Sequence, residues 1–300
     1  MHGVLIIDKA AGLTSHDVVN RVRRILHERS VGHLGTLDPL ATGVLPLVIG
    51  NMTRLAQFYS SSEKTYEGVI RFGFATDTYD AEGRPSGPPQ PVTLSLEQIR
   101  EVASQFRGVI EQIPPPFSAK KIQGVPAYKL ARRQTEFTLK PVQVEIKDFE
   151  ISGVEGDRAI FRARVASGTY MRSVAHDMGQ QLGCGAHLQS LRRTGLAEFT
   201  LADAHTIEEL EQAAVAGAAE DLFVHPREVL PEFPCITANE EIIVRIRSGR
   251  TVNLPELSRA RRVKVFHGQR ELIAIATRVA GTLFHPKIVL APVPQPAKPV

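Results

Sequence analysis

One carboxylate, Asp38, sits inside the segment Gly32-His33-Leu34-Gly35-Thr36-Leu37-Asp38-Pro39-Leu40-Ala41-Thr42-Gly43. The glycines and the proline predict that no regular helix or strand runs through it. Pro39 removes a backbone donor and pushes Asp38 toward extended angles. The glycines let another backbone or a ligand approach closely. An isolated Asp-Pro is ordinary turn chemistry, but here the patterned loop is long and carries a histidine five residues upstream of the acid. A carboxylate presented in this way can act as a nucleophile or stabilise a developing positive charge.

Three further segments carry groups that could work with it. Lys64-Thr65-Tyr66-Glu67 is followed by Gly73, Thr76-Asp77-Thr78, Asp80 and Gly83; Gly168-Thr169-Tyr170-Met171-Arg172-Ser173 and Leu191-Arg192-Arg193-Thr194 come later. An adjacent guanidinium would keep a carboxylate charged, and Arg172 is one candidate to supply it. Tyr66 offers a flat face and a hydroxyl. The Asp38 loop and these three patches, in this order, resemble the motifs of the TruB-type tRNA pseudouridine synthases.

That resemblance implies an isomerase that breaks the N1–C1′ bond of a uridine and joins C1′ to C5. No atom is lost and nothing is oxidised, so it implies no cofactor and no metal. It implies Asp38, Tyr66 and Arg172 as the catalytic set. It also implies that Lys9, His33, Tyr170 and Leu191 contact the bound nucleotide, with His33 supporting the displaced base. The target would be uridine 55 in the T loop of tRNA, turned out of its stack to be reached. Ala10 stands after Lys9 where the family usually has proline, a replacement expected to loosen that turn slightly.

The elements that must position these groups can be read from period and capping. Val4 to Ile7 predicts a buried strand, and Ser15 an N-cap opening a helix faced by Val18, Val22, Ile25 and Leu26. Val44 to Ile49 and Glu67 to Phe74 predict strands, and Ser95-Leu96-Glu97-Gln98 is a capping box. Arg158 to Val165 alternates apolar and basic residues, which predicts a strand with one basic face. Ser173 to Leu182 predicts a helix stopped by Gly183, and Thr206 caps another running to about Ala219. After Pro234 the segments Ile242–Ile246, Val263–Phe266, Glu271–Ala276 and Lys287–Ala291 predict a module of short strands.

With the resemblance, this gives an α+β pseudouridine synthase fold: a central mixed, largely antiparallel sheet flanked by helices. The expected catalytic domain is 1–230, with an RNA-gripping thumb insertion at about 115–140. A PUA-like all-β domain at 234–292 and a proline-rich, disordered tail at 293–300 follow.

The formal charge is +4 and the pI about 9.1. Residues 117–140 carry a net +5, including Lys120 and Lys121, and residues 245–264 a net +6, whereas 203–232 carry −7. Two basic patches on separate segments predict phosphate-backbone contact, and Lys120 and Lys121 are candidate RNA contacts. Two cysteines argue for a reducing compartment, and Cys184-Gly-Ala-His187 lacks the second ligand pair that zinc needs. No signal peptide or membrane span is expected, so a cytoplasmic monomer acting on the T arm without a protein partner is. Two other readings compete: an RNA chaperone that holds tRNA without reacting, and a guide-RNA-dependent relative in a larger particle. Intact Asp38, Tyr66 and Arg172 favour the enzyme, and the thumb favours a stand-alone one.

Overall fold

Val4-Leu5-Ile6-Ile7 is apolar without alternation because both faces of its sheet are covered. Leu5 and Ile7 enter one core and Val4 and Ile6 another, all at 1% exposure or less. The computed structural model describes residues 1–290 apart from 119, 123 and 134, so the expected tail lies outside the described residues. In chain order the elements are β1 (Gly3–Lys9), α1 (Ser15–Ile25), β2 (Val31–His33), β3 (Thr42–Ile49), β4 (Lys64–Phe72), α2 (Leu96–Ser104) and β5 (Gly108–Gln112). Then come β6 (Lys121–Ile122), β7 (Val125–Pro126), α3 (Ala127–Arg132), β8 (Val142–Glu155), β9 (Arg158–Val165), α4 (Met171–Gln181) and β10 (Ala186–Leu196). The chain ends with β11 (Phe199–Thr200), β12 (Ala204–His205), α5 (Ile207–Val215), β13 (Cys235–Thr237), α6 (Glu240–Arg247), β14 (Val252–Asn253), β15 (Arg262–His267), β16 (Glu271–Ala280) and β17 (Leu283–Val289).

The large sheet runs β12-β1-β3-β10-β4-β9-β8-β5, with β2 on β3 and β11 on β10. Within this sheet only the β1–β12 and β3–β10 pairs among the described strands are parallel. Helices α1, α2, α4 and α5 cover one face through Val18, Val22, Ile99, Val174, Met178 and Leu210. The other face packs on Met52 and Leu55 of the 3-10 segment Gly50–Phe58 and on Tyr59, which caps its end. The same core takes in Phe266, Leu272, Ile275 and Ile288 of a second, five-stranded sheet, β13-β15-β16-β17-β14. In β16, Leu272 and Ile275 face the large sheet while Ile273, Ala274 and Ala276 enter a separate core with Ile243 and Ile246 of α6.

The small sheet is tied down by polar contacts as well. Lys264 is buried and its ammonium donates to the carbonyls of Arg227 (2.7 Å) and Val229 (2.6 Å). Leu230 takes a left-handed φ of 53°, and its N–H donates to Glu198 Oε1 at 2.8 Å, an atom that also accepts from the Tyr59 hydroxyl at 2.6 Å. Arg262 lies over the rings of Phe58 and Phe233.

Three sequence expectations change. The N-cap of α1 is Thr14, not Ser15: Thr14 and Asp17 form the capping box, and Ser15 is the first helical residue. Ile242–Ile246 is helical, not a strand. Asn239 caps it, Glu240 and Glu241 open it, Arg245 and Arg247 close it, and Ile243 and Ile246 are the buried i, i+3 pair. Helix α5 stops at Val215, and a 3-10 turn at Ala219–Leu222 follows. The basic face of β9 is neutralised locally: Arg158 pairs with Asp157, Arg162 with Glu67 and Arg164 with Glu63. Such exposed pairs contribute little stability.

Replacing Ile275 by alanine removes side-chain volume from the core shared by the two sheets. The expected loss is about 3 kcal/mol in urea unfolding followed by circular dichroism, with a single cooperative transition retained.

Candidate active site

The chain from Gly35 to Pro39 has no ladder partner, yet each of its five carbonyls receives a donor. Arg193 supplies two: Nη2 to Gly35 at 2.9 Å and Nη1 to Thr36 at 3.2 Å, while its Nε donates to Val44 at 2.7 Å. Ser15 Oγ donates to the Leu37 carbonyl at 3.1 Å and accepts from the Leu37 N–H at 2.8 Å. The Asp38 carbonyl accepts from Ala41 N–H at 3.1 Å. The Pro39 carbonyl accepts from Gly12 N–H at 2.9 Å and Lys9 Nζ at 3.3 Å. Lys9 and Arg193 are both 0% exposed, so two buried cations hold this loop from beneath.

Lys9 therefore does not stand where the sequence reading put it. Its ammonium donates to the carbonyls of Ala10 (2.9 Å) and Leu13 (2.7 Å) as well as Pro39, and it positions the loop rather than meeting a ligand. Burial lowers its pKa to about 8, against the opposing pull of the Asp38 carboxylate. The turn with Ala10 in place of proline is thus cross-linked by a side chain.

Asp38 projects from the loop and is 38% exposed, facing a cavity of about 330 Å³. Arg172 Nε lies 2.9 Å from Asp38 Oδ2, but its N–H is not aimed along that line, so the contact is ionic rather than an aligned hydrogen bond. The guanidinium is 5% exposed and held on its other edges: Nη1 donates to the Thr78 carbonyl at 3.2 Å and lies 3.6 Å from Asp80 Oδ2, and Nη2 donates to the Phe117 carbonyl at 3.0 Å. Asp80 is itself fixed by Thr78 Oγ1 and the Glu82 N–H.

Tyr66, Tyr170 and Leu191 line the same cavity. Tyr66 is 6% exposed, and burial raises its phenol pKa while the nearby Arg193 pulls the other way. Burial likewise raises the pKa of Tyr170. The Tyr170 backbone is pinned by Gln112, whose amide donates to its carbonyl at 3.1 Å and accepts from its N–H at 2.8 Å. His33 ends β2 outside the cavity wall, with a buried Nδ1 that has no partner among the described residues and a pKa lowered mainly by burial. Lys120 and Lys121 are exposed at the start of the β6–β7 hairpin, away from the cavity. The structure thus gathers Asp38, Tyr66, Arg172, Tyr170 and Leu191, and leaves Lys9, His33, Lys120 and Lys121 around them.

Sequence reading missed Arg193, Ser15 and Gln112 as positioning groups. Arg193 carried a usable signal: it lies two residues after Leu191 on β10, on the inward side of the strand. Gly43 is the companion signal. At φ 97°, a Cβ there would sit 2.2 Å from the Arg193 carbonyl, so only glycine lets β10 approach β3 closely enough for the guanidinium to pass beneath the loop.

Residues 23–171 match the family model for the TruB family pseudouridylate synthase (N terminal domain), and residues 172–230 that for the tRNA pseudouridylate synthase B C-terminal domain. A tRNA pseudouridine synthase B of Solibacter usitatus (strain Ellin6076) is 47% identical over 97% of this chain and 100% of its own length. The chain belongs to the TruB family. Other TruB relatives include tRNA pseudouridine synthase B of Syntrophotalea carbinolica, 41% identical over 83% of this chain and 81% of that protein. Another, from Azoarcus sp. (strain BH72), is 38% identical over 96% and 95%. In fold, the TruB chain resembles one in a solved Cbf5-Nop10-Gar1 complex, with TM-score 0.71, 24% identity and coverage of 97% of this chain and 85% of that one.

Ser15→Ala leaves the buried Leu37 N–H without its acceptor. The expected cost is about 1–3 kcal/mol in urea unfolding, with faster hydrogen exchange at the Leu37 amide.

Proposed function

We propose that this protein is a tRNA pseudouridine synthase that isomerises uridine 55 in the T loop. The observation that carries the reading is the buried Arg172 guanidinium set against the exposed edge of Asp38 at the mouth of a nucleoside-sized cavity. Membership of the TruB family, and relatives named tRNA pseudouridine synthase B across nearly the whole chain, support it.

In this reading the uridine is extruded from the T arm into the cavity, with its base against Tyr66 and Leu191 and its ribose toward Asp38. The carboxylate meets C1′ as the N1–C1′ bond breaks, either bonding to it or stabilising its positive charge. Arg172 fixes that carboxylate, and its contacts to Thr78, Asp80 and Phe117 fix Arg172 in turn. Tyr66, held as a neutral phenol by burial, packs on the base and stands near C5. Tyr170 and Leu191 shape the nucleotide site, and His33 supports the displaced base. The hairpin and short helix within 115–140, with Lys120 and Lys121, grip the RNA backbone as a thumb on a catalytic unit of 1–230. The second sheet, at 234–292, is an RNA-binding PUA-like unit.

The reading needs no cofactor or metal, because bond cleavage and formation balance within the nucleotide. The protein acts as a cytoplasmic monomer without a protein partner. No helix among the described residues is long and apolar enough to cross a membrane.

Asp38→Asn is expected to bind a T-arm transcript with little change and to form no pseudouridine, as measured by site mapping after incubation with purified protein. Product above background from that variant would remove Asp38 from the reaction. Changing Lys120 and Lys121 together to alanine is expected to raise the RNA dissociation constant and to reduce the salt slope by about 2.

A further inference from the structure

Lys64 is a cation of the cavity that the reading above leaves without a task. Its side chain lines the cavity beside Gly35, Tyr66 and Ser60. Residues 64 and 66 are two apart on β4 and so project from one face of the strand, which sends the ammonium and the Tyr66 ring into the same space. Nζ donates to the Ser62 carbonyl at 2.8 Å, which uses one of its three protons.

The other cations around the site are occupied. Lys9 and Arg193 are fully buried and engaged by loop carbonyls, and Arg172 faces Asp38 and Asp80. Among the described residues no carboxylate lies within ion-pair distance of Lys64. Burial and the neighbouring Arg193 lower its pKa to about 8, and no acid offsets them. A half-buried ammonium with two free donors and no counter-charge is suited to an anion that forms or arrives in the cavity.

We propose that Lys64 stabilises the uracil anion released when the glycosidic bond breaks, an inference that rests on the pseudouridine synthase reading. When N1–C1′ breaks, the bonding pair goes to N1 and spreads onto O2 and O4 of the ring. The positive charge left at C1′ is met by Asp38. The base then turns, C5 bonds to C1′, C5 loses its proton and N1 takes one up, so atoms and charge balance. Lys64 transfers no proton; it donates a hydrogen bond to the oxygen carrying the developing charge. Asp38 and Lys64 thereby divide the two charges of the separated pair, one at the sugar and one at the base.

The test compares wild type, Lys64→Gln and Lys64→Arg on a T-arm transcript, by single-turnover rate at saturating protein, dissociation constant against salt, and rate against pH. Lys64→Gln is expected to lower the single-turnover rate about 100-fold with the dissociation constant nearly unchanged. The ammonium is charged below its pKa, so the wild-type rate should fall as pH rises through about 8. Lys64→Arg should restore most of the rate. A Lys64→Gln rate equal to wild type overturns the inference. So does a defect confined to binding, with a salt slope shallower by about 1, which marks a phosphate contact instead. If Lys64→Gln does not fold, Lys64→Met decides, and a single-turnover rate equal to wild type overturns the inference. Wild-type protein that binds the transcript but yields no pseudouridine refutes the activity reading itself.

Discussion

A loop without ladder partners must satisfy its carbonyls elsewhere or stay mobile, and the segment from Gly35 to Pro39 solves this with two buried cations, one hydroxyl and two backbone N–H groups. Burying an ammonium and a guanidinium is costly unless each is fully engaged. Here the engagement is reciprocal: Arg193 spends its donors on Gly35, Thr36 and Val44, and Lys9 on Ala10, Leu13 and Pro39. Removing either cation strands several carbonyls at once, and removing the loop strands the cation. Asp38 gains a fixed origin from this arrangement without being part of it.

The rest of the large sheet can be understood as what brings those two cations together. Lys9 ends β1, Arg193 lies in β10, and β3 between them pairs with both, antiparallel to the first and parallel to the second. The parallel pairing at Gly43 and Arg193 requires the missing Cβ at Gly43. Helix α1 then delivers Ser15 to Leu37, and α4 delivers Arg172 to Asp38 from the opposite side. The apolar residues of β1 and β3, buried on both faces, supply the packing that makes these positions rigid.

Much of this was legible from the chain. The Asp38 loop announced itself through glycine, threonine and proline spacing, all short-range signals. The Tyr66 and Arg172 segments were found through resemblance, and the apolar and basic alternation of β9 was read correctly as a strand. The supporting contacts were not legible, because they join side chains to backbone carbonyls up to 158 positions away. A lysine after an aspartate reads by default as a solvated charge, yet Lys9 is buried. Thr14 and Ser15 are both good caps, and composition does not say which hydroxyl turns outward to the helix start and which turns inward to Leu37. Ile242–Ile246 is too short for period to separate helix from strand; the flanking Asn239, Glu240 and Arg247 held the answer.

The guanidinium of Arg172 touches more than the carboxylate. Its Nη2 rests on the Phe117 carbonyl, at the root of the hairpin that carries Lys120 and Lys121. A tug on that hairpin is therefore felt 3.0 Å from the same planar group that faces Asp38. One planar group ties the base of that hairpin to the acid, so a displacement of the Phe117 carbonyl carries through the guanidinium to the edge set against Asp38.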